Sequence, residues 1–125
     1  MADTVGVVKK VYLTFGSGDT EAWKALMDPQ LVFTVSGSLP HSGTFYGADD
    51  VVENCFSKLA ESFPGFVVKA DAFYASGDTV LVECECTAEN LQGGGYTGIH
   101  KMTVVDGKIT RFQDFYDTQK FAAAL

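Results

Sequence analysis

Apolar side chains recur at three- and four-residue intervals near the start of the chain. Val8, Val11, Tyr12 and Phe15 fall on one face of a helix at that spacing, and the pattern ends at residues 16–19, Gly-Ser-Gly-Asp. Asp19 or Thr20 can cap a second helix whose stripe is Trp23, Leu26 and Met27, stopped by Pro29. Residues 31–37, LVFTVSG, are β-branched and aromatic and predict a strand, whereas 38–47 have the composition of a loop. A third helix is expected from Ala48 to Phe63. Its stripe is Val52, Cys55, Phe56, Leu59 and Phe63, and Asp49, Asp50 and Glu53 in its first turns complement the helix dipole. Phe63-Pro64-Gly65 breaks it.

From there the period shortens to two. FVVKADAFYA, TVLVECECTAE, YTGIHKMTVV and KITRFQDFYD are four strand-like runs. Ser-Gly-Asp joins the first two and Asp-Gly the last two. Residues 91–95, LQGGG, read as a flexible connection; they lack the Lys and Ser/Thr of a phosphate loop and lead into no helix. Helices gathered ahead of antiparallel strands mean an α+β fold. The packing expected is a strongly bent, mainly antiparallel sheet wrapped around three N-terminal helices, leaving a blind cone lined by aromatic residues.

The last hairpin carries the candidate chemistry, because His100 and Asp114 stand on its two strands. A two-residue Asp106-Gly107 loop pairs Val105 with Lys108 and sets even positions beside odd ones. A three-residue loop, Val105-Asp106-Gly107, puts Gly107 at the left-handed position of a bulge and pairs Val104 with Lys108, so that even positions share a face. The side chains favour the second. It gives one face to His100, Met102, Val104, Thr110, Phe112, Asp114 and Tyr116, and the other to Lys101, Thr103, Arg111 and Gln113, relieved by Ile99, Ile109 and Phe115. His100 then lies opposite Phe112, with Asp114 its diagonal neighbour at a Cβ separation of roughly 7 Å. An aspartate on an apolar inner face is costly unless something uses it or hydrogen-bonds it.

Composition narrows the partners. The 125 residues read as one domain, 1–125, and 46% hydrophobic content is enough for a core without staples. Ten Phe, five Tyr and one Trp are many for this length and fit an aromatic-lined interior. A net charge of −7, with no basic cluster, argues against nucleic acid and against an anionic membrane surface. Three cysteines, Cys55, Cys84 and Cys86, have no familiar metal spacing and read as small buried thiols of a reduced, cytoplasmic protein. No signal peptide or bilayer-length apolar stretch is visible.

With these residues in view, the chain resembles a SnoaL-like member of the nuclear-transport-factor-2-like superfamily. FGSGDTEAWKALMDPQLVF, SGTFYGADDVVE and HKMTVVDGKITRFQDFYDTQKF fit its successive helix–strand, loop–helix and hairpin blocks over essentially the whole chain. The resemblance implies a cystatin-like α+β barrel and a homodimer formed through the outer side of the sheet. The SnoaL-type polyketide cyclases carry a His at the start of the penultimate strand, a D-G-K-I turn and an Asp on the last strand. These match His100, residues 106–109 and Asp114. By that likeness Asp114 is the base that takes a proton alpha to a carbonyl, and His100 hydrogen-bonds the enolate or relays the proton, with no metal and no cofactor. The ketosteroid isomerases put a carboxylate on the first long strand, where this chain has Phe33-Thr34-Val35, and a tyrosine in the first helix about 100° from Tyr12. The limonene epoxide hydrolases share the terminal aspartate but add an Arg and a second Asp near the positions of Glu85 and Thr87.

The ligand implied is a small apolar molecule, and Tyr12, Trp23, Phe33, Phe56, Phe63, Met102, Phe112 and Tyr116 are the candidate substrate-binding residues. A different class of function stays open, a non-catalytic binding or dimerisation module. In that case His100 is a core histidine bonded to a backbone carbonyl, and Asp114 holds that histidine or a loop amide. His41 reads as a solvated loop residue, Glu83 and Glu85 as outward-facing by simple alternation, or inward where sheet curvature reverses it, and Asp117 as the cap of a terminal turn.

Overall fold

The computed structural model describes residues 3–92 and 96–125. Residues 93–95, the last three of the connection expected to be flexible, lie outside the described residues. Helix α1 (Thr4–Ser17) starts where the Asp3 carboxylate accepts from the Gly6 N–H at 2.8 Å and ends on Gly18 at φ 71°. Asp19, not Thr20, caps α2 (Thr20–Ala25), accepting from the Ala22 N–H at 3.1 Å.

The second helix is shorter than its apolar stripe suggests. Met27 already belongs to strand β1 (Met27–Val35), because the Ile109 N–H donates to the Leu26 carbonyl at 2.9 Å and draws the chain into the sheet. Pro29 therefore lies within β1. It falls where the pairing with the last strand skips from Met27 to Val32, so its missing N–H costs no ladder bond there. The segment read as a loop contains a strand, β2 (Gly43–Tyr46), which extends the sheet along β1. Its four residues are too few for alternation to show.

Helix α3 covers residues 48–62 and is wound as a π-helix over Val51–Phe56. The wider turn brings Val51 rather than Val52 into the core, while Cys55 and Leu59 are buried as expected. Strands β3 (Val67–Ser76), β4 (Thr79–Thr87), β5 (Thr97–Val105) and β6 (Lys108–Tyr116) complete a six-stranded sheet in the order β2-β1-β6-β5-β4-β3. All neighbours are antiparallel except β1 and β6, so the sheet is mixed. A short helix α4 (Thr118–Ala122) follows. Asp117 stands at its cap position, though its side chain makes no capping bond.

The hairpin expectation needs a correction. The β5–β6 turn has two residues, with Asp106 at φ 51° and Gly107 at φ 75°, the geometry of a type I′ turn. Val105 pairs with Lys108 and Val104 with Ile109. The extra residue is Thr110, one step into the strand, after which Thr103 pairs with Arg111. One residue is inserted in either arrangement, so even positions share a face beyond the bulge as expected. The pairing itself differs: His100 faces Asp114 directly, and Met102 faces Phe112. Ile109, placed outside by the three-residue loop, lies ahead of the bulge and is fully buried.

Candidate active site

Strand alternation delivers the site residues to the inner face. On β4 it buries Val80, Val82, Cys84 and Cys86 and leaves Glu83 and Glu85 directed outward, as read from the sequence. On β5 and β6 it buries His100 and Asp114, at 5% and 8% exposure. The two stand opposite each other, but no hydrogen bond joins them among the described residues.

Each is held by other groups. The Tyr12 hydroxyl lies 2.7 Å from His100 Nδ1, and the Tyr116 hydroxyl 2.5 Å from Nε2. Tyr116 also lies 3.3 Å from Cys84 Sγ and 3.1 Å from Cys86 Sγ. A chain of polar groups thus runs from α1 through His100 to β4. Gly98 makes it possible: it pairs with Tyr116, and a Cβ there would lie 2.2 Å from the Tyr116 ring. On the Asp114 side, Oδ1 accepts from the Ser36 N–H at 2.7 Å, and Ser36 Oγ donates to the Asp114 carbonyl at 2.7 Å. Oδ2 has no hydrogen-bond partner among the described residues.

Burial sets the electrostatics. It raises the Asp114 carboxyl above the usual carboxylate range, against the opposing pull of the Ser36 N–H and the nearby His100. Burial also raises the Tyr12 and Tyr116 phenols, and the adjacent thiols add to the effect. Cys84 is the more acidic thiol of its pair, because Cys86 can donate to it and His100 and Tyr116 lie beside it; Cys86 is correspondingly pushed up.

Tyr12, His100, Asp114 and Tyr116 line a cavity of about 90 Å³; Cys84 and Cys86 lie behind Tyr116 and do not. Of the residues expected to bind substrate, Tyr12, Trp23, Phe33, Phe56, Met102, Phe112 and Tyr116 line it, with Phe33 stacked on Phe112 at 4.1 Å and Phe56 edge-on to Trp23 at 5.0 Å. Phe63 does not. It is fully buried in a second apolar cluster with Leu39, Leu59 and Phe121, because α3 ends there and turns it away. His41 is the opposite case. Expected in solvent, it is 8% exposed and lines the cavity, and burial alone lowers its pKa to about 4.

Loop composition gave no sign of His41. The only hint is Leu39 two residues earlier, which is also buried. Ser36 escaped notice too, since its function depends on a contact 78 residues away. Among the described residues no three His, Cys, Asp or Glu side chains converge as a metal site.

A mixed six-stranded sheet in this order, packed with N-terminal helices, is a nuclear-transport-factor-2-like fold. Within it, this chain belongs to the SnoaL-like domain family, whose sequence profile matches residues 8–112. It is similar to a nuclear-transport-factor-2-like protein from Burkholderia thailandensis, 30% identical over 99% of this chain and 98% of that one, with a TM-score of 0.82. TerC, crystallised with polyporic acid, is 24% identical over 98% of each chain, with a TM-score of 0.84. IdmH from Streptomyces antibioticus, provisionally assigned as a polyketide cyclase, is 20% identical over 98% of each chain, with a TM-score of 0.78. Comparison with functionally curated proteins gives no match.

Proposed function

We propose that the protein is a cofactor-independent acid/base enzyme of the cyclase or isomerase type, acting on an apolar carbonyl compound. The observation that carries this reading is the placement of Asp114 and His100, directly opposed, buried and on the wall of one largely apolar cavity. A poorly solvated carboxylate is a stronger base than one in water. Asp114 Oδ2 takes a proton from the carbon alpha to the carbonyl, and the C–H electron pair moves onto the carbonyl oxygen as an enolate.

His100 does not meet that oxygen with a free nitrogen, since both nitrogens are engaged. In the tautomer with the proton on Nδ1, His100 donates to the Tyr12 oxygen, and the Tyr12 O–H is released to face the cavity. The phenol then donates a hydrogen bond to the enolate oxygen while Nδ1–H holds the phenol oxygen in place; no proton leaves the ring, and the proton taken by Asp114 returns to the product. Tyr116 and the Cys84–Cys86 pair fix the Nε2 side of the ring.

The second reading, a non-catalytic binding module, draws support from the same bonds: both His100 nitrogens and Asp114 Oδ1 are already satisfied, as in a structural network. The TerC co-crystal with polyporic acid supports a small organic ligand under either reading. A library of enolisable ketones, screened by thermal shift and then for exchange of the α-proton in D2O, separates the two. Ligand at a hundred times Kd stabilises by about 2.7 kcal/mol. Shifts accompanied by exchange support the enzyme; shifts without exchange in any binding ketone support the binding module.

A further inference from the structure

The inner cavity is small for the task that the acid/base reading gives it. At about 90 Å³ it falls short of the roughly 150 Å³ that holds one benzene ring, so it takes a carbonyl head and little more. A second recess, of about 360 Å³, lies alongside it at the ends of the N-terminal helices. Phe15, Trp23, Phe56, Leu59 and Phe66 line both spaces, so a single layer of side chains separates them.

The recess follows from how the helices end. Helix α1 stops on Gly18 at φ 71°, α3 is followed by Gly65 at φ 69°, and both glycines line the recess. Left-handed backbone disfavours a side chain at either position, so neither corner is filled. The π-wound turn that takes Val51 into the core leaves Val52 at the recess, beside Thr14, Thr20 and Ala60. No lining residue is charged. Phe15, Phe56 and Phe66 are only half-buried. The Phe15 ring stands edge-on to Phe56 at 5.0 Å and to Phe66 at 6.5 Å. Phenylalanine rings have no polar group to tether them, so Phe15 and Phe56 can turn about χ1 and χ2 without breaking a hydrogen bond, and the recess leaves them room to do so.

We propose that the recess is a second binding subsite, continuous with the inner cavity once the Phe15–Phe56 pair parts, and that it holds the apolar body of a carbonyl compound whose reactive end lies at Asp114. The body it takes is uncharged and hydrocarbon in character, at least one ring longer than the inner cavity admits, and it packs against the exposed faces and edges of Phe15, Phe56 and Phe66. The assignment rests on the acid/base reading of the site and deepens it.

The test compares acetophenone with 3-acetylbiphenyl and 4-acetylbiphenyl, which add one phenyl ring in two directions. Acetophenone already needs the wall to part; the added ring must then lie in the recess. Affinities are measured by titration calorimetry and methyl-proton exchange by NMR in D2O, for the wild type and for Ala60→Phe and Val52→Phe. Both substitutions fill the recess from positions that do not line the inner cavity. Ala60 is exposed, and Val52→Phe serves should the first variant fail to fold, as its melting temperature would report. At least one acetylbiphenyl should bind the wild type tenfold or more tighter than acetophenone, a part of what burying a phenyl ring is worth, and acetophenone should compete it off. That advantage should shrink at least fivefold in each folded variant. No advantage in the wild type, binding of none, simultaneous binding of the two kinds of probe, or an advantage that survives in a folded variant would overturn the proposal. Exchange separates it from its foundation. An advantage that depends on the recess, without exchange of the acetyl protons, contradicts the acid/base reading and leaves the recess as a binding subsite. Exchange of acetophenone that depends on Asp114, with no advantage for either acetylbiphenyl, does the reverse.

Discussion

A carboxylate and two imidazoles stand in the wall of a largely apolar cavity, and each is in a different state of satisfaction. His100 has both nitrogens bonded, Asp114 has one oxygen bonded, and His41 has a buried Nδ1 with no partner among the described residues. The pH dependence of stability follows from the last two. Unfolded, His41 titrates near 6.5; folded, near 4. Between those values the unfolded chain holds a proton that the folded chain refuses, so this residue lowers stability as pH falls from 6.5 toward 4. Asp114 acts with the opposite sign. Its raised carboxyl gives stability that is present at low pH and lost as pH rises through its folded pKa. Urea unfolding at steps between pH 7 and 4 should therefore show a steeper acid loss in the wild type than in His41→Gln. Parallel curves for the two proteins would mean that His41 titrates normally in the folded state.

At the scale of elements, the site is a product of the β5–β6 hairpin, and the hairpin was only partly legible. Alternation told which residues share a face, because burying Met102, Val104 and Phe112 together is worth far more than any turn preference. It could not place the inserted residue, since Thr110 or a third turn residue gives the same parity beyond the bulge. That choice is made by Leu26, whose carbonyl takes the Ile109 N–H, and no local pattern announces a contact between positions so far apart. The same limit hid Ser36 and His41: their segment reads as a loop by composition and becomes an ordered wall only through contacts with β6, α3 and Thr118. Asp49 and Asp50 were legible as N-terminal helix charges; Asp50 accepts from the Tyr46 N–H at 2.9 Å and so ties the helix start to β2, while no side chain caps that end. The Gly98–Tyr116 pairing yields a sharp prediction. Gly98→Ala forces the Tyr116 ring away from His100 and should cost about 1–3 kcal/mol by overpacking, visible as a lower melting temperature. An unchanged melting temperature would show that Tyr116 has another low-energy seat.

For the whole molecule, the outer side of the sheet is the feature still uncovered. Tyr46, Tyr74, Leu81 and Phe115 are exposed by 69%, 54%, 39% and 47%, and Ile99 lies between Glu83 and Phe115 in the pairing. Apolar side chains of this size on one sheet face favour an interface, and a second copy of the chain is the partner proposed. Ile109, once counted with this face, belongs to the core instead. Light scattering at micromolar concentration should give twice the chain mass, 26.8 kDa from 13.4 kDa per chain; a monomer there contradicts the pairing. No helix among the described residues is long and apolar enough to cross a membrane.

The claim on which the rest depends is that Asp114 takes a proton, and Asp114→Asn tests it with little disturbance. Asn keeps an oxygen for the Ser36 N–H and replaces Oδ2, which has no hydrogen-bond partner among the described residues, with an NH2 group. Melting temperature and α-proton exchange are measured on the same variant, with a ketone that binds the wild type. The expected result is unchanged or higher stability, since a poorly solvated charge is gone, ketone affinity within a fewfold, and exchange slower by roughly 10²–10⁴. A clearly destabilised variant whose exchange falls only in proportion to its folded fraction would show that Asp114 holds the hairpin to the Ser36 loop and takes no proton.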